Sequence, residues 1–327
     1  MKGRWVEPDI RDEILTYTGT WARRTKRSRL ELIELLGISR SKYYEWQHHY
    51  GESRDKKDGF FRWWSIEPSE EEEILHYRKT HEFDGYRRLC YQMLDEDVVA
   101  VSPSTVYRVL KRHNLLSKWN KPEKKSKKEG FDQPQKPHEH WHMDISYIKI
   151  QSVFFFLISV LDGYSRSIIH FDLRANMTEY DVELVLEEAL EKYPGMKPRL
   201  ISDNGSQFIS RDFKEFISLK ELCHVRTSIR YPQSNGKIES FHKTIKKECI
   251  RRESFIDLED ARKVIGKYIN EYNNERLHSS LYYLSPRDVL EGRMETRLKE
   301  RDHKLRNARE KRKRKWKNSN FPREMVK

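Results

Sequence analysis

From Trp141 to Leu173 the chain is written as β-strand. Trp141 to Ile150 alternates with a period of two, and Gln151-Ser152 turns it back into Val153 to Leu161, an apolar run of buried-strand length. Asp162-Gly163 is a strong hairpin signal and leads into Arg166 to Leu173. Strands joined by turns this tight lie side by side and antiparallel. The next segment must then cover a face of that sheet. Thr178 to Tyr193 reads as a capped helix with Val182, Leu184, Val185, Leu186 and Leu190 inward. Pro198 to Ser202 is a short strand that ends at Asp203, followed by a helix from Ser210 to Leu219 and a strand from Cys223 to Thr227. Ser228 to Gly236, rich in Pro, Ser, Asn and Gly, is a loop, and Gly236 to Ile250 a helix. The predicted order is β-β-β-α-β-α-β-α, an α/β fold with a mixed sheet.

Three acids fall at telling places in that order. Asp144 lies mid-strand among apolar neighbours, where a carboxylate is costly unless it is paired or binds metal. Asp203 stands at the carboxyl end of a strand, where sheets covered by helices bind ligands. Glu239 is on the last helix, with 35 residues between it and Asp203. At about 100° per residue, Lys243 and Lys246 share the face of Glu239. Ile238, Phe241, Ile245 and Cys249 form the stripe to be buried. Hard divalent cations prefer carboxylate oxygens, and two such ions serve in-line displacement at phosphorus by acting on the attacking and the leaving oxygen. Asp144 is expected to bridge both ions, Asp203 and Glu239 to hold one each, and Lys243 and Lys246 to face incoming phosphates. Taken singly, each acid also has a structural reading: an edge-strand polar residue, a turn former, and the partner of Lys243.

The flanks point to a polyanion. Net charge is +13 over 327 residues, and charged residues equal hydrophobic ones at 36% each, which leaves one well-packed domain with smaller basic modules. Leu30, Leu32, Ile33, Leu35 and Leu36 build an apolar helix face broken by Gly37, and Ser39 opens a second helix through Trp46. This helix-turn-helix pattern makes Arg40, Lys42 and Tyr43 candidate DNA contacts. A second helical unit has Ser69 and Glu72 as a capping box, a helix from Tyr86 to Leu94 behind Gly85, and another through Arg112 opened by Ser102-Pro103. It carries Arg87, Arg88, Arg108, Lys111 and Arg112 toward DNA. Ser117 to His138 is a lysine-rich linker, and Arg293 to Lys317 is expected to start helical and end disordered. The three cysteines are isolated, which points to a reducing compartment and away from a cysteine-based zinc site. His138, His140 and His142 read as the approach to a strand. No stretch has the length of a membrane span, and no secretory apolar segment opens the chain.

Asp144, Asp203 and Glu239 in these contexts resemble the D,D(35)E core of retroviral integrases, and more closely the orfB-type transposases of bacterial insertion sequences. The supporting stretches are Trp141 to Tyr147, Leu161 to Arg166, Ser202 to Phe208, Pro232 to Phe241 and Tyr272 to His278. The resemblance spans residues 70–290 and implies a ribonuclease H-like catalytic core, Mg²⁺ or Mn²⁺, and DNA cleavage and strand transfer. It also implies that Lys246 meets a DNA end. The histidine-cysteine zinc module of retroviral integrases is absent, and Leu277 stands where proline is frequent. The organisation expected is a helix-turn-helix-like segment at 1–50, a second helical module at 64–116, a basic linker at 117–137, the core at 138–256, a helical extension at 257–290 and a basic tail at 291–327. Tyr272, Asn274, Arg276 and His278 are expected to pack that extension on the core, and the 231–237 loop to close beside Glu239. Double-stranded DNA is the expected partner, held by at least two copies of the chain, with the product of an upstream reading frame as a further candidate. The compartment expected is the bacterial cytoplasm, near the nucleoid. Two rivals are a DNA-binding regulator whose core is unused and a nuclease acting on RNA–DNA hybrids.

Overall fold

The structure, a computed structural model, describes residues 6, 8–48, 50, 65–116, 133–227 and 235–320. The chain divides into two units, Met1–Ser65 with Arg312–Lys327, and Ile66–Lys311. Most of the basic linker, the loop at 228–234 and the end of the tail lie outside the described residues.

The first unit holds α1 (Pro8–Thr25), α2 (Arg29–Leu35) and α3 (Arg40–His48). Ser28 caps α2, its Oγ accepting from Glu31 N, and Gly37 turns the chain at φ +66°, a left-handed conformation that favours glycine. Ile33, Ile38, Tyr43 and Trp46 close on Leu15. Two expectations are corrected here. Leu35 and Leu36 are exposed, because a helix of two turns directs only Ile33 fully inward. Tyr43 is no DNA contact: it is buried, with its hydroxyl 2.8 Å from Thr18 Oγ1. Arg40 is exposed, and Lys42 Nζ lies 5.4 Å from the centre of the Trp46 ring.

In the second unit α4 (Pro68–Thr80), α5 (Tyr86–Asp95) and α6 (Pro103–Arg112) pack around Ile74, Leu89, Met93, Val106 and Leu110. The capping box of α4 is Glu67 with Glu70, not Ser69 with Glu72. Pro68 decides this, since its missing N–H costs nothing at the first helical position. Ser102 caps α6 as expected, accepting from Thr105 N. Arg108 and Lys111 are exposed on α6.

The sheet runs β1 (His140–Ile150), β2 (Val153–Asp162), β3 (Ile168–Arg174), β4 (Arg199–Ser202) and β5 (Cys223–Arg226). Spatial order is β3-β2-β1-β4-β5. β1, β2 and β3 are antiparallel, while β4 pairs parallel with β1 and β5 parallel with β4. That is the ribonuclease H-like arrangement. Gln151 and Ser152 both take positive φ, as a two-residue hairpin turn requires. One face is covered by α7 (Glu179–Glu191) and α9 (Arg211–Leu219), packed through Val182, Val185, Leu186 and Phe213 on Met143, Ile158 and Val160. A short turn of helix, α8 (Ser206–Ile209), precedes α9. The other face is covered by α10 (Gly236–Ile245) and α11 (Leu258–Asn274), through Ile238, Phe241, Ile245, Ile265 and Tyr272 on Ile148, Leu157 and Leu161. The helix predicted through Ile250 changes at Lys246 into a π-helical turn, Lys246–Ile250.

The segment from Tyr272 to His278 packs as expected. Tyr272 is buried in the core, and Arg276 forks onto Glu248 at 2.7 and 2.8 Å. After α12 (Pro286–Leu290) comes α13 (Met294–Asn320), helical to its end where disorder was expected. Its Arg301 is buried and bidentate on Asp95 of α5 at 2.8 and 2.6 Å, and it also donates to the carbonyls of Tyr282 and Tyr283. Lys304 donates to the carbonyls of Leu94 and Asp95 at the same helix end. The helix thus straps the α4–α6 module to the core.

Candidate active site

Alternation along β1 turns His142, Asp144 and Ser146 away from the α7 face and toward α10. The β1–β4 register pairs Met143 with Ser202, so Asp144 and Asp203 come next to each other where β4 ends. Asp203 is fixed by an Asx turn, Gly205 N donating to Oδ1 at 2.9 Å. A Cβ at Gly205 would come 3.1 Å from that oxygen, which accounts for the glycine. Burial pushes the Asp203 carboxyl above its ordinary range; the Gly205 N–H opposes this and the charge of Asp144 adds to it. These two predicted acids are therefore brought together.

Glu239 is not brought to them. It stands in the first turn of α10 with its side chain 46% exposed, and Lys243 Nζ is 3.9 Å away, as their shared face requires. Among the described residues no three acidic, histidine or cysteine side chains converge as a metal-holding group. Lys243 itself is 81% exposed, and Lys246 is half-buried at the start of the π-helical turn. From α10 it is His242 that meets Asp144, Nδ1 lying 3.2 Å from Oδ2. Sequence reading missed this residue. Its signal was its place on the helix, at the seam between the buried stripe and the face of Glu239.

Lys237 anchors the start of α10, donating to the Gly163 carbonyl at 2.8 Å. Loss of solvation, with Arg166 nearby, lowers its pKa to about 8. Gly163 is needed for space, since a Cβ there would come 2.9 Å from His142 Nε2 and 3.1 Å from the His140 carbonyl. Asp162, read as a turn former, is 0% exposed and accepts from His138 N, Ser165 N and Ser165 Oγ at 2.8, 2.7 and 2.6 Å. It holds the turn and has no part in the carboxylate pair. His140 and His142 are buried in β1, in keeping with a strand approach. Asn204 donates to the Thr227 carbonyl and Gln207 to that of Met177, so both brace the backbone of segments distant in sequence.

The donor set fits a hard divalent cation. Two carboxyls lie side by side in a partly desolvated place, and among the described residues no lysine or arginine forms an ion pair with either. Their mutual repulsion is what a cation with oxygen preference relieves.

Residues 134–232 and 221–286 match the family described as Integrase core domain. The chain is 26% identical over 272 residues to an insertion element IS600 protein of Shigella sonnei, covering 78% of this chain and 96% of that protein. It is 35% identical over 141 residues to an insertion element IS136 protein of Agrobacterium fabrum, covering 41% of this chain and 72% of that one. The chain belongs to the insertion-element transposases with an integrase core. Another relative of the transposase is the one for insertion sequence element IS904 of Lactococcus lactis, 31% identical over 156 residues, covering 46% of this chain and 61% of that one. Among solved structures, the transposase is similar to a chain of the simian T-cell lymphotropic virus intasome at a TM-score of 0.45 and 15% identity, covering 67% of this chain and 74% of that one. No described helix is long and apolar enough to cross a membrane.

Proposed function

We propose that this transposase cuts DNA at the ends of its element and joins the freed 3′ ends to target DNA, with Asp144, Asp203 and Glu239 as its catalytic carboxylates. Water attacks phosphorus and expels the element's 3′ oxygen as a hydroxyl, leaving the phosphate on the flanking strand; that hydroxyl then attacks a target phosphodiester in line and expels the target's 3′ oxygen, with no covalent enzyme intermediate. Asp144 and Asp203 would hold Mg²⁺ or Mn²⁺ from the sheet, and Glu239, exposed on α10 and apart from them here, would have to be carried in to join them, with two ions as the working number. When bound, such ions supply Lewis-acid stabilisation of the attacking and leaving oxygens. Lys243 and Lys246 face the strand near the site, and Arg40, Lys42, Arg108 and Lys111 contact DNA phosphates elsewhere along the duplex. Holding two element ends calls for at least two copies of the chain, acting in the bacterial cytoplasm, and the product of an upstream reading frame is a further candidate partner. The observation that carries the reading is the placement of Asp144 beside Asp203 at the end of β4.

Asp144→Asn tests it. With the protein's own element ends and Mg²⁺, strand transfer is expected to fall by at least about a hundredfold, the scale of losing a group that stabilises transition-state charge. Wild-type transfer by that variant would refute the assignment.

A further inference from the structure

We propose that His242 is a positioning residue for Asp144. The inference rests on the reading of Asp144 as a metal-holding carboxylate. His242 Nδ1 is 3.2 Å from Asp144 Oδ2, and the two side chains are 7% and 16% exposed. Among the described residues His242 Nε2 is buried with no hydrogen-bond partner, so the polar engagement of the ring is with Asp144. Nor is the ring free to leave. Phe241, beside it, packs edge-on against Tyr272 at 5.0 Å, Ile245 is fully buried one turn on, and Lys237 ties the first turn of α10 to Gly163.

The terminal torsion of an aspartate is broad, so a carboxylate on a strand does not by itself fix which oxygen faces a cation. The Nδ1 of His242, 3.2 Å from Oδ2, restricts that torsion and leaves Oδ1 for the metal. Partners of this kind orient the ligands they bond, and their loss costs about 10–100-fold in metal affinity. The position on the helix adds a coupling. His242 follows Glu239 by three residues, so α10 carries both the exposed Glu239 and the side chain set against Asp144.

Two amides separate this role from packing. In His242→Asn the amide nitrogen stands near the place of Nδ1; in His242→Gln it stands near that of Nε2. The full chain, without DNA, is titrated with Mn²⁺ while the free ion is followed by electron paramagnetic resonance, with Asp144→Asn as the reference lacking the ligand. His242→Asn is expected to stay within about threefold of the wild-type affinity, and His242→Gln and His242→Leu to lose about 10–100-fold. Equal affinities for all three variants, or an equal loss in Asn and Gln, would overturn the role of His242 while leaving the metal site standing. Should wild type and Asp144→Asn bind Mn²⁺ alike, the metal reading of Asp144 fails first, and this inference with it.

Discussion

Asp162 and Asp144 are both aspartates on neighbouring strands, and the structure assigns them opposite consequences. In Asp162→Asn one carboxylate oxygen becomes an NH₂ group. The remaining oxygen is best placed toward Ser165, whose N–H and Oγ–H both bond Oδ2, at 2.7 and 2.6 Å. The NH₂ then faces the His138 N–H, which Oδ1 accepts at 2.8 Å. One hydrogen bond to a carboxylate is lost, worth about 1.5–3 kcal/mol, and two donors are left facing each other away from water. Because Asp162 is fully buried, solvent does not repair the loss. A total of about 2–4 kcal/mol follows, which at roughly 2–4 °C per kcal/mol for a unit of this size lowers Tm by about 4–16 °C. Calorimetry on both variants reads it: Asp162→Asn melts early, while Asp144→Asn melts with the wild type and loses strand transfer. An Asp162→Asn protein with native Tm and no transfer would refute this division of labour and move Asp162 into the chemistry.

Further outcomes follow from other contacts. Arg301→Met leaves Asp95 without its buried partner and is expected to cost about 3–5 kcal/mol; hydrogen exchange should quicken in α4–α6 and remain slow in β1–β3. Gly163→Ala pushes a methyl group against His142 Nε2 and the His140 carbonyl, which itself accepts from Gly163 N at 2.7 Å. About 1–3 kcal/mol should be lost, read as a lower urea midpoint. Burial, with neighbouring cations adding to it, lowers the pKa values of His142, His224 and His278 to about 3, about 4 and about 3. Unfolded histidines take up protons near 6.5, before the folded ones do, so the stability from these groups is complete above that pH and is lost as pH falls toward 3. A urea midpoint that stays flat from pH 7.5 to 4.5 would contradict this.

Much of the core was legible because its signals are local. The β1–β2 hairpin follows from a short polar pair between alternating runs, and the buried stripe of α10 from spacing alone. Ser102 and Thr178 cap their helices as read. What sequence reading missed depends on partners far along the chain. Asp162 looks like a turn residue until His138, 24 residues earlier, is seen to donate to it. The seam position of His242 on α10 is visible in the sequence, but its partner is not, because Asp144 is on another element. Leu35 and Leu36 fit a helical period, yet α2 is too short to bury both. The outward Glu239 was likewise beyond reach: spacing shows that it shares a face with Lys243, and only the folded chain shows which carboxylates stand together.

The strap made by α13 also has a consequence in time. Arg301 and Asp95 are 206 residues apart in sequence. A ribosome adding about 5–20 residues per second needs roughly 10–40 s to travel that distance. Through that interval α4, α5 and α6 can fold on their own contacts, but the arginine that ties α5 to the Tyr282 and Tyr283 carbonyls has not been made. Synthesis therefore orders assembly: the basic surface of α6 emerges first, and the buried arginine tie between its module and the Tyr282–Tyr283 segment comes only with α13.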